Sequence, residues 1–170
     1  MSRLLFTSDL HLGHNNICKY RTQFSSPEEH NEIIFDNLAT NVEKRDTLYL
    51  LGDIAFSLSW LERISSINCK HKLLVCGNHD LEHGITMRHL VAYYDDVKTL
   101  FSKRNNWISH CPIHEQELRG RVLNIHGHLH GSTVKGSEGE EDPRYFNVCV
   151  EHTGYKPISY TEIKERGVYE

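Results

Sequence analysis

Apolar run after apolar run in this chain stops on a residue able to bind a cation or carry a proton. The first, Leu4-Leu5-Phe6, leads into Asp9 and His11, the run at 47–51 stops at Gly52-Asp53, and the run at 72–76 stops at Gly77-Asn78-His79-Asp80. Further along, Trp107-Ile108-Ser109 precedes His110, and residues 121–125 precede His126, His128 and His130. Runs this short and this apolar suit strands buried on both faces, as in parallel sheets. The carboxyl ends of parallel strands share one edge, where ligands bind. Residues spread over most of the chain are therefore expected to converge.

Helical spacing separates the first runs. Ser26-Pro27-Glu28-Glu29 carries an N-cap serine, a proline at the first helical position and acids in the first turn. Ile33, Ile34, Leu38 and Val42 then continue at helical spacing, which predicts a helix over 27–43. Helices over 59–67 and 86–94 complete a strand–helix–strand–helix order, the mark of parallel strands joined by crossovers. Beyond Asp96 short strands follow one another, at 97–101, 107–109, 121–125 and 145–150. No linker intervenes, so one domain over 1–170 is expected, with two sheets packed together. Residues 132–142 are acidic and glycine-rich and read as a solvated loop.

A chain of 170 residues has room for one substantial core. Its net charge of −4 offers no basic footprint for nucleic acid. No apolar run approaches the ~18 residues of a membrane span, and no signal-peptide core is present, so a cytoplasmic protein is the default expectation. The five cysteines are scattered without a C-x-x-C pair, which argues against disulfides and zinc knuckles and for small core hydrophobes. Histidine is the outlier, at 13 residues.

The strand-end residues form a coherent donor set of carboxylates, an amide and imidazoles, with no thiolate. Such a set suits divalent manganese, iron, zinc, nickel or cobalt better than a structural zinc; manganese is the ion expected. Seven or so donors exceed one tetrahedral ion and suit two divalent ions sharing a carboxylate. Paired metals roughly 3.5–4 Å apart serve in-line displacement at phosphorus. Any one of these residues alone would more often be capping a turn.

Five blocks stand in order: D-x-H (Asp9 to His11), G-D (Gly52-Asp53), G-N-H-D (Gly77 to Asp80), a histidine before Cys111-Pro112, and G-H-x-H (Gly127 to His130). This order resembles the calcineurin-like metallophosphoesterase superfamily, and the opening D-L-H-L-G-H-N-N-I resembles a small bacterial and phage subgroup. The resemblance implies an α-β-β-α sandwich, with two facing mixed sheets flanked by helices. It implies one metal held by Asp9, His11, Asp53 and His130, and another by Asp53, Asn78, His110 and His128, with Asp53 bridging. A metal-bridging hydroxide would attack the phosphate ester. His79 would contact the phosphate, beside Asn78, and stabilise the transition state or protonate the leaving oxygen.

Alternation at an extended strand end would aim Asp9 and His11 at one ion, with Leu10 and Leu12 facing the core. The segment Gly52 to Ser57 holds no arginine, nor a second aspartate to pair with His79. A small phosphodiester or nucleotide-type substrate is therefore expected ahead of a phosphoprotein. Phosphomonoester hydrolysis, nucleic-acid processing and a non-catalytic metal-stabilised scaffold are the rival readings. His14 or Asn15 touches substrate at the rim, or else Asn15 or Asn16 caps a short helix over 17–20. By alternation His126 shares a face with His128 and His130 and would support the ligands from behind. His30, His71, His83, His89, His114 and His152 read as surface or helix residues. Arg21, Lys103 and Arg104 read as solvated charges or as contacts to an anionic substrate.

Overall fold

The computed structural model describes residues 2–166. In chain order its elements are β1 (Leu4–Thr7), α1 (Pro27–Asn41), β2 (Thr47–Leu50), α2 (Leu58–Ser65), β3 (His71–Val75), α3 (Met87–Tyr93), β4 (Asp96–Lys98), β5 (Leu100–Lys103), β6 (Asn106–Ser109), β7 (Leu123–His126), β8 (Tyr145–Asn147), α4 (Val150–Thr153), β9 (Ile158–Ser159) and α5 (Tyr160–Arg166). One sheet runs β4-β3-β2-β1-β9, with β1 to β4 parallel and β9 antiparallel to β1. The other runs β5-β6-β7-β8, with only β5 antiparallel to its neighbour. Two facing mixed sheets flanked by helices are the architecture expected from the sequence.

Strand alternation divides the apolar residues between two cores. Leu5, Leu48, Leu50 and Leu74 turn toward Ile34 and Leu38 of α1, Leu61 and Ile64 of α2, and Leu90 of α3. Phe6, Tyr49, Leu51, Leu73 and Val75 turn the other way, against Ile108, Leu123 and Ile125 of the second sheet and Ile163 of α5. Each such side chain contributes about 1.5–3 kcal/mol by leaving water. The first sheet is thus apolar on both faces, which is why its strands read as unbroken hydrophobic runs. No described helix is long and apolar enough to cross a membrane.

Local signals set most boundaries. The Ser26 hydroxyl accepts the Glu29 N–H at 3.2 Å to cap α1. That helix stops at Asn41, short of the expected 43, because Val42 is already extended at φ −100° and ψ 122°.

Two strand expectations need correction. The strand expected over 97–101 is two strands in different sheets, with Thr99 between them. Val97 packs into the helix-side core and Phe101 into the inter-sheet core, so the two residues cannot lie on one face of one strand. The strand expected over 145–150 ends at Asn147 and gives way to α4, while β9 and α5 carried no clear sequence signal. The 132–142 segment folds back on itself through a Lys135–Glu141 bridge and ends on Asp142, which is buried and bound by Arg144. Of the five free cysteines only Cys149 is fully buried, and Cys111 is exposed.

Candidate metal centre

The loops leaving β1, β2 and β3 meet those leaving β6 and β7 at one edge of the sandwich. The Asp9 N–H donates to Gly52 O and the His11 N–H to Asp53 O, both at 3.0 Å, so the first two loops stay paired beyond their strands. They do not stay extended. Asp9, His11, Asp53, His128 and His130 sit at φ of 58°, 52°, 55°, 71° and 48°. Strand alternation therefore fails as the reason Asp9 and His11 come together; left-handed kinks aim them. Each such residue costs on the order of 1–3 kcal/mol and persists only where its surroundings over-determine it. Two glycines make the crowding feasible. A Cβ on Gly52 (φ +89°) would overlap His110 Nδ1, and one on Gly127 would overlap Ser8 Oγ and Asp9 Oδ2.

Two groups of donor atoms result. In the first, Asp9 Oδ1 lies 3.7 Å from His11 Nε2 and 3.8 Å from His130 Nε2. Asp9 Oδ1 and His11 Nε2 are buried without any hydrogen-bond partner. In the second, His110 donates Nδ1–H to Leu51 O at 2.7 Å, which turns Nε2 toward Asn78 Oδ1 (2.9 Å), His128 Nδ1 (3.2 Å) and Asp53 Oδ2 (3.5 Å). His128 Nδ1 is also 3.1 Å from Asn78 Oδ1. Asp53, the expected bridge, contributes an oxygen within 4.8 Å of donor atoms on both Asp9 and His110.

Oxygen and nitrogen atoms this close suit a shared proton or a shared metal cation. Burial opposes charge on His110, but Asp53 and then Asp9 push its imidazole up to about 9. Burial likewise opposes ionisation of Asp9, yet the His11 and His110 imidazoles and the Cys149 and Ser8 donors hold it below the usual carboxylate range. Unpartnered lone pairs, carboxylates kept ionised and an oxygen–nitrogen donor set fit divalent metal ions.

A layer of supporting residues that sequence reasoning did not identify fixes these donors. The Ser8 hydroxyl (2.6 Å), His128 N–H (2.8 Å) and Cys149 thiol (2.9 Å) all donate to Asp9 Oδ2, which leaves Oδ1 to face the site. Asp80, the last residue of G-N-H-D, accepts the N–H groups of Asp53, Ile54 and Gly77 at 3.0, 3.0 and 2.7 Å and so sets the loop carrying Asp53. Glu151 of α4 takes His130 Nδ1 at 3.2 Å, and Asn147 holds His130 O at 3.0 Å. Burial works against the Glu151 carboxylate, but His130 and Arg21 bring it down to about 2. Glu82, three residues past His79, binds His79 Nδ1 at 2.9 Å and takes the place of the aspartate missing from the sequence.

Several expectations change. Arg21 is neither solvated nor free for an anion: it is 2% exposed and donates to Asp9 O (2.6 Å), Leu10 O (3.2 Å) and Glu151 (2.9 Å). His30 is buried beside it, 2.8 Å from Arg21 Nη1. Arg104 lies over the Tyr160 ring. His126 ends β7 on the outer face, against Tyr145, with Nδ1 bonded to Gly127 O, because the kink at His128 breaks the alternation that would have joined it to His128 and His130. Cys111 places its thiol within 4.8 Å of His110 and His128 donors, although a thiol-free site was expected. Residues 17–19 form a 3₁₀ turn with no side-chain cap from Asn16, and the half-buried His14 packs edge-on to Phe56 with ring centroids 5.0 Å apart.

Two clefts open from the donor cluster. One, of about 710 Å³, begins at His11, His79 and His130 and is walled by His14, Phe56 and Tyr20. The other, of about 390 Å³, begins at Asn78 and His110 and runs along Leu100, Cys111 and Pro112.

Known proteins share this architecture. The profile of a family described as calcineurin-like phosphoesterase matches residues 2–159. The Gene 66 protein of Mycobacterium phage L5 is 35% identical, covering 79% of this chain and 80% of its own length. An uncharacterized protein of Methanocaldococcus jannaschii is 29% identical, covering 94% of this chain and 88% of its own. Among solved structures, a protein of unknown function from Aquifex aeolicus superposes with a TM-score of 0.73 at 27% identity, covering 98% of this chain and all of that one (100%).

Proposed function

Since the chain belongs to the calcineurin-like phosphoesterase family and is a metal-dependent hydrolase of phosphate esters, we propose that it uses two divalent ions, manganese first, to cleave a small phosphodiester. Asp9, His11, Asp53 and His130 would hold one ion, and Asp53, Asn78, His110 and His128 the other. The observation that carries this reading is the convergence of Asp9 Oδ1 and His11 Nε2, buried and unpartnered, with His130 Nε2 in one space, beside the group formed by Asn78, His110, His128 and Asp53. When bound, such ions withdraw charge from phosphoryl oxygens and make a water acidic enough to serve as nucleophile at neutral pH.

The protein's own groups supply the rest. The His79 N–H donates to Asp53 Oδ1 at 2.8 Å, which ties the imidazole's position to that of the shared carboxylate. With Nδ1 on Glu82, His79 presents Nε2 to the phosphate, where it binds a non-bridging oxygen and protonates the leaving alkoxide. Asn78 lies next to it and contacts the same phosphate, and His14 on the cleft wall meets the group beyond it.

The diester preference rests on charge and space. The nearby guanidinium, Arg21, is consumed by Asp9 O, Leu10 O and Glu151, so it offers nothing to the second charge of a monoester dianion. Two clefts leave the donor cluster, one for each ester group of a diester. Turnover of a bis-aryl phosphodiester and an aryl monophosphate, compared in Mn²⁺-replete protein, tests this. Faster diester turnover is expected; a preference for the monoester would overturn it.

A further inference from the structure

Behind the donor groups a chain of polar side chains runs from α1 to α4, and Arg21 stands at its middle. Its guanidinium is turned inward, 2% exposed. Nη2–H donates to Asp9 O at 2.6 Å and Nη1–H to Leu10 O at 3.2 Å. Asp9 is left-handed, and among the described residues no backbone N–H reaches either carbonyl. On its other side Arg21 grips Glu151 Oε1 through Nε (2.9 Å) and Nη2 (2.8 Å), and the same oxygen takes His130 Nδ1 at 3.2 Å.

The far end of the chain is anchored in α1. The buried His30 donates Nδ1–H to Asn31 Oδ1 at 3.0 Å, since that oxygen can only accept. Its Nε2 therefore carries a lone pair, which accepts Arg21 Nη1–H at 2.8 Å. Burial brings the His30 imidazole down to about 4, so the ring stays neutral beside the guanidinium. Every N–H of Arg21 is thereby engaged, and an ammonium in its place would offer fewer donors from a single point. Asn31 Oδ1 also accepts the Gly13 N–H at 3.1 Å, so one network holds the loop at both ends, with His11 between them. Asn78, His110 and His128 lie outside it. Their hydrogen bonds run to one another, to Leu51 O and, from the His128 N–H, to Asp9 Oδ2.

We propose that Arg21 is a positioning residue for one ion of the pair, the ion among Asp9, His11 and His130, and that it sets that ion's affinity without touching it. The proposal rests on the two-ion reading of the centre. The guanidinium fixes the Asp9–Leu10 backbone from one side and, through Glu151, the His130 ring from the other, so these ligands arrive already aimed. The other ion draws its imidazoles and amide from outside the network and should not respond to Arg21.

Titration of the full chain with Mn²⁺, followed by calorimetry and by electron paramagnetic resonance, tests this. The unmodified protein is expected to bind two ions and to show the spectrum of a spin-coupled pair. Arg21→Lys keeps the charge and loses the fork. It should weaken one ion about 10–100-fold and leave the other unchanged, so that at intermediate Mn²⁺ the spectrum becomes that of an isolated ion. His30→Phe, which removes the acceptor at Nε2, should weaken the same ion by less, and decides alone where Arg21→Lys does not fold. The ion affected should be the one lost in His130→Ala and kept in His128→Ala. A fall of both affinities together, no fall in Arg21→Lys, or a fall for the ion lost in His128→Ala overturns the role of Arg21. A single ion in the unmodified protein overturns the two-ion reading, and the selectivity of Arg21 with it.

Discussion

Asp9 divides its two oxygens between two tasks: Oδ2 takes a hydroxyl, a backbone N–H and a thiol, and Oδ1 is left bare. Asp53 has a comparable division, with Oδ1 on the His79 N–H and Oδ2 toward His110. Asp53→Asn should therefore do more damage than loss of any single histidine, removing both metals as read by metal analysis and with them turnover; near-normal metal content would refute the shared role. His79→Ala should keep both metals while slowing turnover by roughly 10²–10⁴-fold, the range of one acid–base group. Metal loss in that variant would show that His79 is a ligand. Glu151→Gln should weaken Mn²⁺ binding by about 10–100-fold without unfolding the chain, because His130 loses the carboxylate that orients it. The proposed ligands were legible because each follows an apolar run within a short block. Glu82, Glu151 and Arg21 were not, because nothing local distinguishes a supporting carboxylate or guanidinium from a surface one.

Elements were legible where burial or capping acts within a few residues. The runs of the first sheet and the Ser26-Pro27 start of α1 are of this kind. The Thr99 switch was not legible, because its cause is which of two cores receives Val97 and Phe101, a matter of tertiary packing. Nor were β9 and α5, since a two-residue strand shows no alternation. Away from the site, Asp46 ties the start of β1 to the turn before β2. It accepts the Arg3 N–H at 2.9 Å, the Arg3 guanidinium at 2.5 Å and the Glu43 N–H at 2.9 Å. Burial works against that carboxylate, yet Arg3 and the two backbone donors bring it down to about 2. Because the folded value lies below the ordinary one, its stabilisation is fully present above about pH 4 and is lost as pH falls through 2. Asp46→Asn should cost ~1–3 kcal/mol in urea unfolding at neutral pH. The gap from the unsubstituted chain should close toward pH 2; a gap unchanged with pH would deny the charge its part.

At the scale of the molecule, the donors come from both sheets. Asp9, His11, Asp53 and Asn78 follow strands of the first, and His110, His128 and His130 follow strands of the second. An ion held among them as proposed would fasten the sheets together at one edge, where the loops already pay for five left-handed residues. Mn²⁺ at 100 times its dissociation constant should add about 2.7 kcal/mol. That corresponds to a rise of roughly 5–10 °C in melting temperature for a chain of this length, reversed by a chelator. An unchanged melting temperature would mean that the folded chain does not bind the ion in preference to the unfolded one. The same arrangement orders the proposed donors along the chain: Asp9 and His11 are synthesised early, His128 and His130 more than a hundred residues later. A partial product that stops before His128 would display part of the proposed donor set and no cage, so selection between ions would fall to the folded molecule and to the metals around it.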